Sequence, residues 1–201
     1  FENNGGNFTS AVLGVHNISF EYDAAPTLFD YENDGDLDLL VGSLDGKIRS
    51  FRNDGFPTIP DLNEITEWDD FDASSEQNVN VGGNTYKTTK ISQIDIGARS
   101  SIDFGDLDGD GLTDMLLGTT HGFLKPFKRV LVQEQIFNAT TDSLQNVNRN
   151  AWIEFSFNLS GREFPERTSP RLVDLNNDKD FDLVIGNVIG NLIGFENIGN
   201  V

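Results

Sequence analysis

Three acidic segments of the chain place oxygen-bearing side chains at positions 1, 3, 5 and 9 of a nine-residue pattern. We call residues 30–38 loop one, residues 106–114 loop two and residues 174–182 loop three. Carboxylate and amide oxygens at alternate positions suit a hard cation that takes six to eight oxygen ligands. Magnesium fits less well, because it prefers a smaller octahedral shell and keeps its waters. The spacing therefore predicts Ca2+ as a cofactor, with up to three sites.

The main alternative to this loop chemistry is the EF-hand, which needs a bidentate Glu at position 12 and a helix on each side. Position 12 is Val41, Leu117 or Ile185 here, so the ion is expected inside a strand-loop-strand unit. Position 9 then supplies the closing carboxylate, and the backbone carbonyl at position 7 supplies a further ligand. A second alternative is a set of plain Asp-rich and Gly-rich turns that bind no metal.

The elements that must position these loops repeat in the same register. Glycine recurs at positions 13 and 17, and phenylalanine recurs at position 22. Short apolar runs follow each loop and predict strands that are buried on both faces, because they are too short for helices. Tight turns at each second glycine, such as residues 43–46, lead into another strand. The predicted unit is strand, acidic loop, strand, turn, strand.

The repeated cores at residues 29–51, 105–127 and 173–195 resemble FG-GAP/VCBS repeats, the blades of β-propellers of the integrin α-subunit type. The resemblance implies a four-stranded blade for each repeat, with calcium in the loop between its first two strands. Two residues depart from the family pattern, Glu32 at position 3 and Lys179 at position 6, and both are expected to weaken their sites relative to loop two. The ligands that the resemblance implies are Asp30, Glu32, Asp34, Asp36, Asp38, Asp106, Asp108, Asp110, Leu112, Asp114, Asp174, Asn176, Asp178, Asp180 and Asp182.

The expected fold is all-β, a single β-propeller-like domain over residues 1–201 made of three four-stranded antiparallel blades. Their approximate boundaries are 1–55, 56–130 and 131–201. Propellers close with about four to eight blades, so three are too few. Residues 1–5 resemble residues 195–199 and look like the last strand of a preceding blade. We therefore expect a partial β-propeller, or one completed between molecules.

Composition and charge narrow the classes of function. The chain has 201 residues with 14 Lys and Arg against 33 Asp and Glu, a net charge of −19 that repels nucleic acids and anionic lipids. It has no Cys, and no apolar run approaches the roughly 20 residues that span a bilayer. Neither a nucleic-acid partner nor membrane insertion is expected. The two His residues, His16 and His121, lie in no catalytic motif, so the chain is predicted not to be an enzyme.

These observations favour a non-enzymatic extracellular module, secreted or at the cell surface, in which Ca2+ stiffens loops that serve adhesion or structural self-assembly in a fibre or surface layer. Its expected partners are further copies of itself or the remaining blades of a longer parent chain, together with glycans or cell-surface proteins. Four N-glycosylation sequons are compatible with secretion, at Asn7, Asn17, Asn138 and Asn158. The alternative is a carbohydrate-binding or accessory propeller of a secreted glycan-active enzyme, in which Trp68, Tyr86 or Trp152 would stack on sugars.

Overall fold

The computed structural model describes residues 2–4, 7–9, 23–31, 34–54, 62–65, 78–81, 84–87, 101–138, 143–159 and 162–199. Their regular secondary structure consists of strands, and none of them forms a helix long and apolar enough to cross a membrane. The strands are β1 (Glu2–Asn4), β2 (Asn7–Thr9), β3 (Ala25–Phe29), β4 (Asp38–Gly42), β5 (Ile48–Asn53), β6 (Leu62–Ile65), β7 (Asn78–Val81), β8 (Asn84–Lys87), β9 (Ser101–Gly105), β10 (Asp114–Gly118), β11 (Leu124–Asn138), β12 (Ser143–Glu154), β13 (Ser169–Val173), β14 (Asp182–Gly186) and β15 (Leu192–Phe195).

Three antiparallel sheets contain the repeated unit. Sheet one has the order β3-β4-β5-β6, sheet two has the order β9-β10-β11-β12, and sheet three has the order β13-β14-β15. Each sheet begins with a strand, an acidic loop, a strand, a turn and a strand, as the repeat predicts. The prediction of an all-β, antiparallel fold is confirmed. Among the described strands, none of the sheets closes into a barrel.

The fourth strands of sheets one and two lie outside the repeated cores. β6 pairs with β5, and β12 pairs with β11 along a hairpin that runs from Phe127 opposite Glu154 to Asn138 opposite Ser143. Both strands lie beyond the approximate boundaries at residues 55 and 130, so these sheets extend further along the chain than the repeat indicates. Two separate hairpins, β1-β2 and β7-β8, complete the described strands. The second of them pairs Asn78 with Lys87 at its open end and Val81 with Asn84 at its turn.

β10, an inner strand of sheet two, is buried on both faces. Met115 and Leu117 belong to a core shared with Trp152 and with residues of sheet one. Leu116 points to the opposite face and packs into a second core with Ile185 of sheet three. All three side chains of this run are fully buried. β10 is therefore covered on one face by sheet one and on the other by sheet three. This explains why its apolar residues are consecutive rather than alternating with polar ones.

The first strands of the three sheets lie side by side and point the same way. The Thr27 hydroxyl of β3 donates a hydrogen bond of 2.8 Å to the Ile102 carbonyl of β9. The hydroxyls of Ser101 in β9 and Ser169 in β13 are 3.1 Å apart. These contacts join equivalent or neighbouring positions of the repeat. Because each acidic loop follows directly after one of these strands, the three loops lie at the same end of the sheets.

Segment 162–168 packs closely against the turn of sheet two. The Phe164 amide donates to the Gly122 carbonyl at 2.8 Å, and the Thr168 amide donates to the Thr119 carbonyl at 3.2 Å. A Cβ atom on Gly122 would lie 1.9 Å from the Phe164 carbonyl oxygen. Glycine is needed there because it has no Cβ and because its φ is +83°.

Candidate metal centre

Loop two brings three of its predicted ligands together. Asp106, Asp108 and Asp114 each offer a carboxylate oxygen, and these three oxygens lie within 4.8 Å of one another. Asp114 is fully buried, whereas the other two side chains are half-buried. Among the described residues this is the one group of three such ligands. Like charges at this spacing repel by roughly 1 to 3 kcal/mol per pair at effective dielectric constants of 80 to 20, so the cluster favours a cation.

The position 1 carboxylates shape all three loops. Each accepts a hydrogen bond from the backbone amide at position 6, and the donors are Gly35 to Asp30 at 3.0 Å, Gly111 to Asp106 at 2.9 Å and Lys179 to Asp174 at 3.0 Å. Position 6 has a positive φ in every loop, including +80° at Lys179. The third loop therefore keeps the backbone conformation of the others although a lysine replaces glycine. Such a conformation costs a non-glycine residue on the order of 1 kcal/mol.

The position 9 carboxylates tie loops one and two to the third strand of their own sheet, and loop three to the segment just after that strand. Each is buried, and each accepts one backbone amide from position 2 with one oxygen and one from position 24 with the other. The donors are Tyr31 and Asn53 to Asp38, Leu107 and Arg129 to Asp114, and Leu175 and Asn197 to Asp182. A carboxylate has about four acceptor sites, so these residues can hold the backbone and still face a cation.

The electrostatics of the loops also favour a cation. Burial, and then the charges of Asp108 and Asp110, raise the pKa of Asp114 to about 7, although the backbone amides of Leu107 and Arg129 act in the opposite direction. Burial and the neighbouring carboxylates of Asp34 and Asp30 raise the pKa of Asp36.

Asp36 offers the clearest unfilled acceptor. The side chain is 7% exposed, and its Oδ1 atom is buried without a hydrogen-bond partner. Leaving a buried acceptor unsatisfied costs about 1 to 3 kcal/mol. The pattern places Asp36 at position 7, where the sequence points to the backbone carbonyl as a ligand. Its side-chain oxygen is therefore an additional candidate that sequence reasoning missed.

The remaining predicted ligands lie in the loops with their oxygens turned toward backbone amides. Oδ1 of Asp110 accepts from Leu112 at 2.8 Å, and Oδ1 of Asp178 accepts from Asp180 at 2.9 Å. In loop one, Oδ1 of Asp34 makes the same contact with position 7. Glu32 lies outside the described residues. These repeated turns curve the chain so that the carboxylates at positions 1, 3 and 9 can converge.

No protein-family model, curated protein or solved structure matches the chain. The choice of metal therefore rests on the donor atoms of the loops themselves. The three loops offer carboxylate, amide and backbone carbonyl oxygens and contain no His or Cys. Oxygen donors of this kind suit calcium and give little affinity for zinc. The residues present therefore fit Ca2+.

Sequence reasoning also missed two charged side chains that contact the loops, one in the third strand of sheet two and one directly after the third strand of sheet three. They stand at position 23, directly after the repeated phenylalanine. Lys128 contacts Asp108 of loop two, with Nζ 3.2 Å from Oδ2. Oε1 of Glu196 accepts a hydrogen bond of 3.2 Å from Nδ2 of Asn176 in loop three. The constant spacing of these two residues from their loops is the sequence signal that could have indicated the contacts.

A groove of about 490 Å3 lies between sheets two and three. Phe157, Leu172 and Phe195 form part of its apolar wall, and Asp108 and Glu196 line it with carboxylates. Its aromatic and polar lining is of the kind that binds small ligands. The acidic loops thus border the groove directly.

The other predicted site residues have the following places. Trp152 is fully buried in the core, so it is unable to stack on a sugar. Trp68 and Asn17 lie outside the described residues, as does His16. Tyr86 lies in β8, Asn7 in β2 and Asn138 at the end of β11. Asn158 and His121 are exposed in turns.

Proposed function

We propose that this chain is a non-enzymatic Ca2+-binding repeat module whose three sheets are blades of an FG-GAP/VCBS-type β-propeller. The observation that carries the proposal is the convergence of Asp106, Asp108 and Asp114 within 4.8 Å, in a loop whose pattern recurs twice more. Bound calcium would supply the positive charge that the carboxylates lack. The position 1 and position 9 carboxylates of loop two accept backbone amides and also converge with the position 3 carboxylate, so the same three side chains would hold the ion.

Calcium binding should stiffen the end of the sheets at which the loops lie. Each loop joins a first strand to a second strand, and its position 9 carboxylate already reaches the third strand or, in loop three, the residues just after it. Closing the loop around an ion would fix all three strands relative to one another. An extracellular setting suits such sites, because even weak oxygen-ligand loops fill at the millimolar calcium found there.

Sheet three supports the proposal that the module associates with further copies of itself or with remaining blades of a longer parent chain. Among the described residues, β15 pairs with β14 on one edge and with no strand on the other. Leu192 and Ile198, in and just beyond this edge strand, are 78% and 76% exposed. An open edge with apolar side chains is a template for strand pairing. Adhesion or assembly into a fibre or surface layer would use this edge.

Calcium titration of the full chain tests the proposal. Isothermal titration calorimetry should detect Ca2+ binding that a matching Mg2+ titration does not reproduce, and Asp106→Asn should remove binding at loop two. Glu166→Gln removes one exposed negative charge outside the loops and serves as the matched control. Light scattering on a sizing column, with and without chelator, would report self-association. Absence of Ca2+ binding at millimolar concentration would overturn the proposal.

The groove between sheets two and three favours glycan binding as a second candidate function. Its aromatic wall offers stacking surfaces, and Asn158 and Glu196 offer hydrogen-bonding groups at the lining. Glycan-array binding that is lost in Phe157→Ala and kept in Leu131→Ala, a change to an exposed side chain outside the groove lining, would support this function. Glycan binding that is unaffected by Phe157→Ala would place the glycan elsewhere.

A further inference from the structure

We propose that the side chain at position 23 sets the calcium affinity of its own loop, so that Lys128 weakens loop two and Glu196 strengthens loop three. This inference rests on the proposed function and concerns the regulation of the same sites. It reverses the order that the loop residues alone indicate, in which Lys179 makes loop three the weaker site.

In loop two, the Lys128 ammonium competes with a metal ion for the Asp108 carboxylate. Its Nζ atom lies 3.2 Å from Oδ2 of Asp108, and Asp108 is one of the three converging ligands. The Lys128 and Asp108 side chains are only 21% and 25% exposed, so water and salt screen the pair less than a fully exposed one. Asp108 has to give up part of this ion pair before it can bind a metal. Lys128 therefore lowers the affinity of loop two and stabilises the loop when calcium is absent.

In loop three, the equivalent side chain carries the opposite charge. Position 3 of this loop is the neutral Asn176, whose Nδ2 donates to Oε1 of Glu196 at 3.2 Å and to Oδ2 of Asp178 at 2.9 Å. Glu196 thus adds a carboxylate beside the position where loop two has a ligand carboxylate. This charge attracts a cation toward loop three and compensates for the neutral amide of Asn176.

Loop one is not part of the inference. Its position 23 residue, Arg52, forms an ion pair of 2.6 Å with Asp54, and its position 3 residue, Glu32, lies outside the described residues.

Charge-neutralising variants of the full chain test the inference, with the two loops read separately by NMR. The backbone amides of Gly111 and Lys179 donate to the position 1 carboxylates, so their chemical shifts report loops two and three individually. Lys128→Met should raise the Ca2+ affinity at the Gly111 amide about tenfold, and Glu196→Gln should lower the affinity at the Lys179 amide about tenfold. Each substitution should leave the other loop within about twofold.

Matched controls separate this effect from a change in net charge. Lys125→Met removes the same charge from β11 at a position of opposite parity, which points to the other face of the sheet. Glu166→Gln removes an exposed charge outside the loops. Affinities that stay within about twofold in Lys128→Met and Glu196→Gln, or that shift equally in both loops, would overturn the inference. If neither amide of the unmodified chain responds to Ca2+, the proposed function fails as well, which distinguishes the two failures.

Discussion

The Arg129 guanidinium donates a hydrogen bond of 2.7 Å to the backbone carbonyl of Tyr31, which is 98 residues away in the sequence. Both residues also donate their backbone amides to position 9 carboxylates, Tyr31 to Asp38 and Arg129 to Asp114. The guanidinium lies 5.8 Å and 5.5 Å from the ring centroids of Phe29 and Tyr31. Loops one and two are therefore connected through two residues, across the boundary between two sheets.

Replacing Arg129 by methionine should destabilise the protein and uncouple loops one and two. The Tyr31 carbonyl would lose a charge-assisted donor in a buried setting, at a cost of about 1.5 to 3 kcal/mol. Urea unfolding measures that cost. Arg167→Met, at an exposed side chain, should change the stability by less than about 0.5 kcal/mol. Equal stabilities of the two variants would contradict the structural role of Arg129.

Asp182→Asn should destabilise the protein even when calcium is absent. The Asp182 carboxylate accepts the amides of Leu175 and Asn197, one on each oxygen, and its side chain is 2% exposed. An asparagine would turn its own NH2 group toward one of these donors, so a loss of about 1 to 3 kcal/mol is expected. Asp180→Asn, on an exposed side chain of the same loop, is the control and should have little effect in chelator. Urea unfolding in chelator distinguishes the two variants.

The metal-free protein should lose stability as the pH rises from about 4 to 7. The pKa of Asp114 is about 7 in the folded chain against an ordinary value of 3.8, so the folded state binds this proton more tightly than the unfolded state. That contribution is fully present below the unfolded pKa and is lost as the pH rises through the folded value. Thermal unfolding in chelator should show it, and Asp114→Asn should flatten the profile relative to the unmodified chain. If the difference between the two unfolding temperatures did not change with pH, the assignment of the pH dependence to Asp114 would be contradicted.

Gly122→Ala should be far more damaging than Gly190→Ala. Both glycines occupy the same position of the repeat, with φ of +83° and +82°, so both variants share a backbone strain of about 1 kcal/mol. Only at Gly122 would the new Cβ meet a neighbour, the Phe164 carbonyl oxygen at 1.9 Å, whereas Gly190 has nothing within 4 Å. An additional loss of about 2 kcal/mol or more is expected at Gly122. Thermal or urea unfolding of both variants would measure the difference, and similar losses would show that segment 162–168 packs elsewhere.

The repeat unit could be predicted from the sequence because it depends on short-range chemistry. Turns that need glycine, apolar runs too short for a helix and carboxylates at alternate positions leave their marks within about 20 residues of chain. The order of strands, loops and turns in all three sheets follows from these marks. The long β11-β12 hairpin and the pairing of β6 lie outside the repeat, so no such register indicated them.

The loop chemistry and the strand that follows each loop could be predicted from residue types and their spacing alone. The tertiary structure alone decided which face of β10 packs against which sheet, because Met115 and Leu116 are equally apolar and differ only in the direction in which they point. It also decided which distant side chains contact the loops. Lys128 meets Asp108, and Arg129 meets Tyr31, because strand register and the side-by-side packing of sheets join residues that are 20 and 98 positions apart. Those contacts depend on burial and geometry that a linear pattern of residue types does not encode.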